Sequence, residues 1–396
     1  MLLKRRKKTE EKKKEIRYIL TIDGGGMRGI VPAYILEKMD DVIREKTERP
    51  LYSLFDLVAG TSTGALIALG LTSPTDQTTL EKDSGEKYRV DRKYRKGLIF
   101  KKEYSETVGW IERNADPDEF LKLYEESGGR IFLKKESKGF RKILDNINRI
   151  FTDKYEAEPY EDFLCQLYGD TALSSAMVPT MAVSFDLSNG REFIFRSWDD
   201  GGWLVREAAR ASSAAPTYFS PARFIDRKSG EELSLVDGGI IANNPVLAAY
   251  IEARKLYPEA DEFRFLSLST ASSRFHMDPD DISSNIDWMG HLISAYGAAN
   301  MAISLEGVES IKGVKVVRVW KDVLKSHISL DDTSREAVGT LKAAAEEIWN
   351  YKKDEITAFL DEIITSSHIP QKLVLRTQDD SNSEERKDET LSLPSL

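Results

Sequence analysis

A serine in the turn Gly60-Thr61-Ser62-Thr63-Gly64 has the residue type and the flanks of an activated nucleophile. Apolar residues fill 54–59 before it and 65–71 after it, which predicts a strand over 54–59, a sharp elbow and a buried helix over 64–71. A G-x-S-x-G elbow in that setting lifts the serine oxygen clear of a sheet, where it can attack a carbonyl carbon. Glycines two residues to either side permit the tight backbone and leave room for an acyl group. The pentapeptide alone is weakly specific, because a small-residue strand-to-helix turn with no chemistry has the same pattern.

Such a serine needs a base for its proton and donors for the charge that develops on the attacked carbonyl. For the charge, Asp23-Gly24-Gly25-Gly26-Met27-Arg28-Gly29 follows the apolar strand pattern of 16–22 and precedes a helical one. Bare N–H groups at a helix start form an anion cradle, and Arg28 adds positive charge beside it. Gly24, Gly26 and Gly29 also satisfy the dinucleotide-binding pattern G-x-G-x-x-G; that reading expects an acid at a strand end about 20 residues on, where 37–45 reads as helix. For the base, Asp237 ends the strand pattern 233–236 and is followed by Gly238-Gly239, although an aspartate there also serves as a plain turn former. Histidine is the other choice: Ser62, Asp237 and His276 match the chain order of an α/β-hydrolase triad. That fold reaches its elbow after more strands than the one seen here, and His291, His327 and His368 lie in or near helical patterns without catalytic context.

Bringing these segments together requires a sheet with helical connections. The first strand is 16–22, and Ile30, Tyr34, Ile35, Met39 and Ile43 mark the first helix. Residues 72–110 are polar and basic and read as an insertion or mobile loop. In 136–151, Phe140, Ile143, Leu144, Ile147 and Ile150 recur at helical spacing among basic residues, predicting an amphipathic helix that packs on the core or acts as a lid at lipid. Further strands at 181–185, 193–195, 233–236 and 263–268 complete a mixed sheet. Helices follow at 285–305 and 333–365, the second with Leu341, Ala344, Ile348, Tyr351 and Ile356 near one stripe.

The 396 residues are 41% hydrophobic and 31% charged, as in a soluble globular protein, and the net charge of -9 gives no indication of a nucleic-acid partner. The single cysteine, Cys165, excludes an internal disulfide and a Cys-based zinc site, and sits in an apolar run as a core filler. No apolar stretch approaches the roughly 20 residues of a transmembrane helix, and the basic start lacks the apolar core of a secretion signal. The expectation is a cytoplasmic protein with a basic flexible arm at 1–15, one catalytic domain over 16–376 and a disordered acidic tail at 377–396. The arm offers peripheral contact with anionic lipid.

Together the three motifs resemble those of the patatin-like phospholipase family: D-G-G-G-x-R-G at 23–29, G-x-S-x-G at 60–64 and D-G-G at 237–239. The likeness continues through the alanine- and serine-rich stretch 208–219 and through 237–246, and covers about 17–270. It implies an α/β three-layer fold, a central mostly parallel mixed sheet flanked by helices. It also implies a Ser-Asp dyad, with Ser62 as nucleophile and Asp237 as base, and an oxyanion hole from the Gly24, Gly25 and Gly26 backbone assisted by Arg28. The implied chemistry is hydrolysis of acyl esters in phospholipid or other acyl-lipid at a membrane surface, with no metal or cofactor. Because the family includes storage proteins, toxins and antiviral effectors, two other readings stand beside it. One is an effector that needs a protein or small-molecule activator such as a cyclic nucleotide, and the other a non-enzymatic lipid-binding module. The sequence departs from the family in the insertion 72–110 and at 266–270, where many relatives carry a glycine-containing turn.

Overall fold

The structure is a computed structural model that describes residues 14–74, 89–96, 102–110, 117–131, 155, 157–199, 201–271, 285–324, 328–366, 368 and 370. In chain order its elements are β1 (Ile16–Ile22), α1 (Ile30–Lys46), β2 (Leu57–Thr61), α2 (Thr63–Thr72), β3 (Arg89–Lys96), β4 (Lys102–Trp110), α3 (Pro117–Ile131), α4 (Glu158–Tyr168), β5 (Thr180–Asp186), β6 (Arg191–Arg196), α5 (Val205–Ser212), β7 (Ala222–Ile225), β8 (Glu232–Asp237), α6 (Gly239–Ala242), α7 (Val246–Leu256), β9 (Glu262–Leu268), α8 (Asn285–Glu309), β10 (Val314–Val319) and α9 (Arg335–Thr365).

Strand β1 shows why the frame has three layers. Its side chains alternate, and both faces are buried. Tyr18, Leu20 and Ile22 join one core with Ile35 and Met39 of α1 and Leu341 and Ile348 of α9. Ile19 points the other way, into a core with Val246 and Ala249 of α7 and Val308 of α8. A strand buried on both sides belongs inside an α/β sheet. β1 pairs in parallel with β2 on one side and β9 on the other, and β10 continues the parallel part beyond β9. On the other flank β5 runs parallel to β2, and β6, β8 and β7 are added antiparallel. The eight strands therefore form the expected mixed, largely parallel α/β sheet, in the order β10-β9-β1-β2-β5-β8-β7 with β6 on β5. A third cluster, including Phe195, Trp203, Phe219 and Leu235, packs α4 and α5 against the antiparallel flank.

Four expectations change. Within 72–110 the chain forms a hairpin, β3 with β4, which pair antiparallel with a shift between Val90 and Asp91. Tyr94, Tyr104 and Trp110 in its strands are the β-forming residues that its charge obscured. Leu51–Leu54 is a 3-10 turn and β2 begins at Leu57, because the buried Asp56 turns aside to accept a hydrogen bond from Tyr18 N at 2.8 Å. Cys165 is exposed on α4, whose core side is Tyr160, Phe163, Leu164 and Tyr168. Tyr351 is 61% exposed, off the buried stripe of Leu341, Ala344, Ile348 and Ile356 on α9. The predicted helix 136–151, the arm to residue 13 and the tail 377–396 lie outside the described residues.

Candidate active site

Strands β2 and β8 meet end to end on one edge of β5. Val183 is registered with Thr61, and the next residue, Ser184, with Asp237. Strand β6 takes the opposite edge of β5 over the same residues. The C-terminal ends of β2 and β8 therefore converge from opposite directions, and Ser62 arrives beside Asp237 although 175 residues separate them in sequence.

Ser62 turns the chain with φ 55° and ψ −124°, in the left-handed half of backbone space. For a serine that costs roughly 1–3 kcal/mol, which the surroundings must outweigh. Strand β2 and helix α2 are buried throughout, and each buried Leu or Ile contributes roughly 1.5–3 kcal/mol, so a few of those side chains suffice. The glycines at 60 and 64 serve this packing rather than an acyl group: a Cβ on Gly60 would lie 2.2 Å from the carbonyl oxygen of Gly64. Ser62 O accepts from the N–H groups of Ala65 and Leu66 at 2.9 and 3.2 Å, starting α2.

Ser62 Oγ donates to Asp237 Oδ2 at 2.6 Å. The other carboxylate oxygen, Oδ1, accepts from Gly239 N–H at 2.7 Å. Asp237 is 5% exposed. Loss of water pushes its pKa up to about 6, with the Ser62 and Gly239 hydrogen bonds pulling the other way. A carboxylate with such a pKa, bonded to a hydroxyl, is suited to accept and return a proton near neutral pH. The end of α5 braces both residues: Ser62 N–H donates to Ser212 Oγ at 3.0 Å, Ser212 Oγ donates to Val183 O at 2.6 Å, and Asp237 N–H donates to Ala214 O at 3.0 Å.

The glycine loop lies against this pair, since a Cβ on Gly24 would come within 3.1 Å of Ser62 Cβ. Of the three glycines expected in the cradle, Gly24 has its N–H occupied by Asn243 O at 2.9 Å, and its carbonyl accepts from Thr270 Oγ1 at 2.9 Å. The N–H groups of Gly25 and Gly26 make no hydrogen bond among the described residues. Arg28 donates from Nε to Gly25 O at 3.3 Å and forms no ion pair among the described residues. Burial draws its pKa down, and the nearby Tyr218 and Asp23 oppose the shift. The arrangement offers a hydroxyl on a carboxylate, against a glycine loop whose next two N–H groups are open and to which Arg28 is bonded.

A family model described as patatin-like phospholipase matches residues 20–250, which include all three motifs. The chain belongs to this family. Among patatin-like relatives, patatin-like protein 2 of Oryza sativa subsp. indica is 30% identical over 249 residues, 60% of this chain and 53% of that protein. The cGAMP-activated phospholipase of Vibrio cholerae is 27% identical over 296 residues, 71% of each chain. A Solanum tuberosum relative named probable inactive patatin-3-Kuras 1 is 25% identical, over 62% of this chain and 57% of that one. The chain thus spans about half the length of the rice relative it matches.

Within this patatin-like frame no histidine with a described side chain bonds Ser62 or Asp237. His368 Nε2 is 2.8 Å from Asp56 Oδ2, at the opposite end of β2 from Ser62. His291 belongs to α8, and His276 and His327 lie outside the described residues. Residues 37–45 fall inside α1, so no strand end supplies the acid a dinucleotide-binding loop expects there. Four partners of the site were not assigned from sequence: Ser212, Asn243, Thr270 and Arg318. Ser212 lies in the family-like stretch 208–219, and Arg318 is a cation in the valine-rich β10, a sequence signal that something must neutralise it.

Proposed function

We propose that the chain is a lipid acyl hydrolase of phospholipase A or lysophospholipase type, with Ser62 as nucleophile and Asp237 as base. The observation that carries this reading is the 2.6 Å hydrogen bond from Ser62 Oγ to Asp237 Oδ2, with the glycine loop packed on Ser62 at Gly24 and its Gly25 and Gly26 N–H groups open. Asp237 takes the hydroxyl proton as Ser62 Oγ bonds to the ester carbonyl carbon. Gly25 and Gly26 N–H, with Arg28, receive the negative charge on the carbonyl oxygen. The alcohol side of the lipid departs with the proton from Asp237, leaving acyl-Ser62. Water then gives its proton to Asp237 and attacks the acyl carbon, and Ser62 leaves with that proton to release a fatty acid.

Among the described residues no helix is long and apolar enough to cross a membrane. The reading therefore has the protein meet lipid from the aqueous side, with the basic arm 1–15 as a contact to anionic headgroups. Lipid products from mixed-membrane vesicles, compared with those of Ser62→Ala, test the substrate class: free fatty acid and lysolipid are expected, and identical profiles for the two proteins contradict it.

The raised pKa of Asp237 sets a pH dependence. Only the ionised carboxylate accepts the proton, so kcat/KM on a soluble ester should fall about tenfold per pH unit below about pH 6 and level off above it. An inflection near pH 4, or none, argues against Asp237 as the base.

A second reading, an effector phospholipase that stays silent until a signal binds, is favoured by the Vibrio cholerae relative named for activation by cGAMP. It predicts that cGAMP raises fatty-acid release from vesicles by about tenfold or more, within the usual range of coupling between sites. Full activity of the purified protein without additive rules out obligatory activation.

A further inference from the structure

The glycine loop is held from beyond the stretch that the family match covers. Asp23 N–H donates to Leu268 O at 3.0 Å, Thr270 Oγ1 to Gly24 O at 2.9 Å and Met27 N–H to Leu330 O at 2.8 Å. The strongest contact is ionic. Arg318 reaches from β10 past β9 to Asp23 at the head of the loop: Nη1 donates to Oδ1 at 2.9 Å and Nη2 bonds Oδ2. Nη1 also donates to Ser267 Oγ at 2.8 Å, which fixes the guanidinium from the intervening strand. Both side chains are largely out of water, Asp23 at 1% and Arg318 at 13% exposure. A bidentate pair of this kind fixes direction as well as distance.

Asp23 has a second cation in reach. Burial pushes its carboxyl up, Arg318 opposes this most, and Arg28 opposes it next. With both carboxylate oxygens occupied by Arg318, Arg28 makes no ion pair among the described residues. Were Arg318 absent, the buried carboxylate would need another partner, and Arg28 is the cation already coupled to it.

We infer that Arg318 is a positioning residue for the hydrolysis: by satisfying Asp23 it fixes the glycine loop and leaves Arg28 on the carbonyl of Gly25 within that loop. This rests on the hydrolase reading above. It gives β10 a part in the site that the three motifs alone do not supply.

The test compares full-length wild type, Arg318→Met, Arg318→Lys and the double variant Asp23→Asn/Arg318→Met. On a p-nitrophenyl ester, Arg318→Met should lower kcat about 10²-fold, the scale of a misplaced catalytic group, with KM changed by no more than about threefold. Arg318→Lys should recover part of the loss. The double variant should be faster than Arg318→Met, because a neutral residue at 23 no longer draws Arg28 away. Hydrogen exchange of the peptide 20–30 should be faster in Arg318→Met than in wild type. Wild-type kcat and wild-type exchange in Arg318→Met overturn the inference, as does a double variant slower than Arg318→Met. If wild type shows no Ser62-dependent hydrolysis, the functional reading fails, and the exchange measurement alone then decides whether Arg318 holds the loop.

Discussion

Replacing Asp237 with asparagine should abolish most hydrolysis while leaving the protein as stable as wild type or more so. Asparagine keeps the shape and an oxygen for Gly239 N–H, now at 2.7 Å from Asp237 Oδ1. It cannot take a proton from Ser62. Loss of general-base catalysis costs about 10²–10⁴-fold in kcat, and on vesicles that brings fatty-acid release close to that of Ser62→Ala. The stability change has the opposite sign. The folded-state pKa of Asp237, about 6, lies above its ordinary value of 3.8, so the folded protein holds this proton more tightly than the unfolded chain. The stability this group contributes is present below about pH 4 and is lost as pH rises through about 6. At pH 8 the ionised, buried carboxylate is a cost that asparagine removes. Thermal unfolding at pH 8 should therefore give Asp237→Asn a Tm equal to or above wild type, a stability gain traded for activity. A variant that is both inactive and clearly less stable at pH 8 would show that Asp237 holds the fold rather than the proton.

Gly26→Ala should be the most damaging single methyl added to the loop. Gly26 has φ 55°, and a Cβ there would sit 2.2 Å from the carbonyl oxygen of Leu330. Neither atom belongs to a flexible side chain. Relief requires the loop or the 330 segment to move, which breaks the bond from Met27 N–H to Leu330 O and displaces the open N–H of Gly26. Loss of one oxyanion donor costs about 10²–10³-fold in kcat, and that is the expected loss on a soluble ester. Gly230→Ala separates strain from position: Gly230 has φ 75° with nothing within 4 Å of an added Cβ. It should lower stability by about 1 kcal/mol and leave kcat unchanged. If Gly26→Ala behaves like Gly230→Ala, the loop has no part in catalysis.

The motifs could be read from sequence because each follows a strand with a clear apolar pattern, and strand ends on one side of an α/β sheet converge. The meeting of Ser62 and Asp237 followed from the family resemblance and not from any local pattern, since it depends on β2 and β8 ending on adjacent residues of β5, a matter of register. Gly24 illustrates the same limit at one residue. Its sequence context marks an anion cradle, yet its N–H is taken by Asn243, whose position follows from tertiary packing. Arg318 and Ser212 reach the site through long-range contacts, to Asp23 and to Ser62 N–H, that leave no local periodicity. Cys165 and Tyr351 misled for a simpler reason: Leu164 faces a core and one step of about 100° along the helix turns Cys165 to solvent, while Tyr351 lies three steps from the buried Ile348, about 60° round the helix and past the edge of its stripe.

Labelling with a fluorophosphonate, followed by intact-mass measurement and peptide mapping, tests the central claim most directly. Wild type should gain the mass of one phosphonyl group, mapped to Ser62, with labelling that slows below about pH 6; Asp237→Asn should label far more slowly and Ser62→Ala not at all. An unlabelled wild type, or an adduct that persists in Ser62→Ala, would contradict a nucleophile at Ser62.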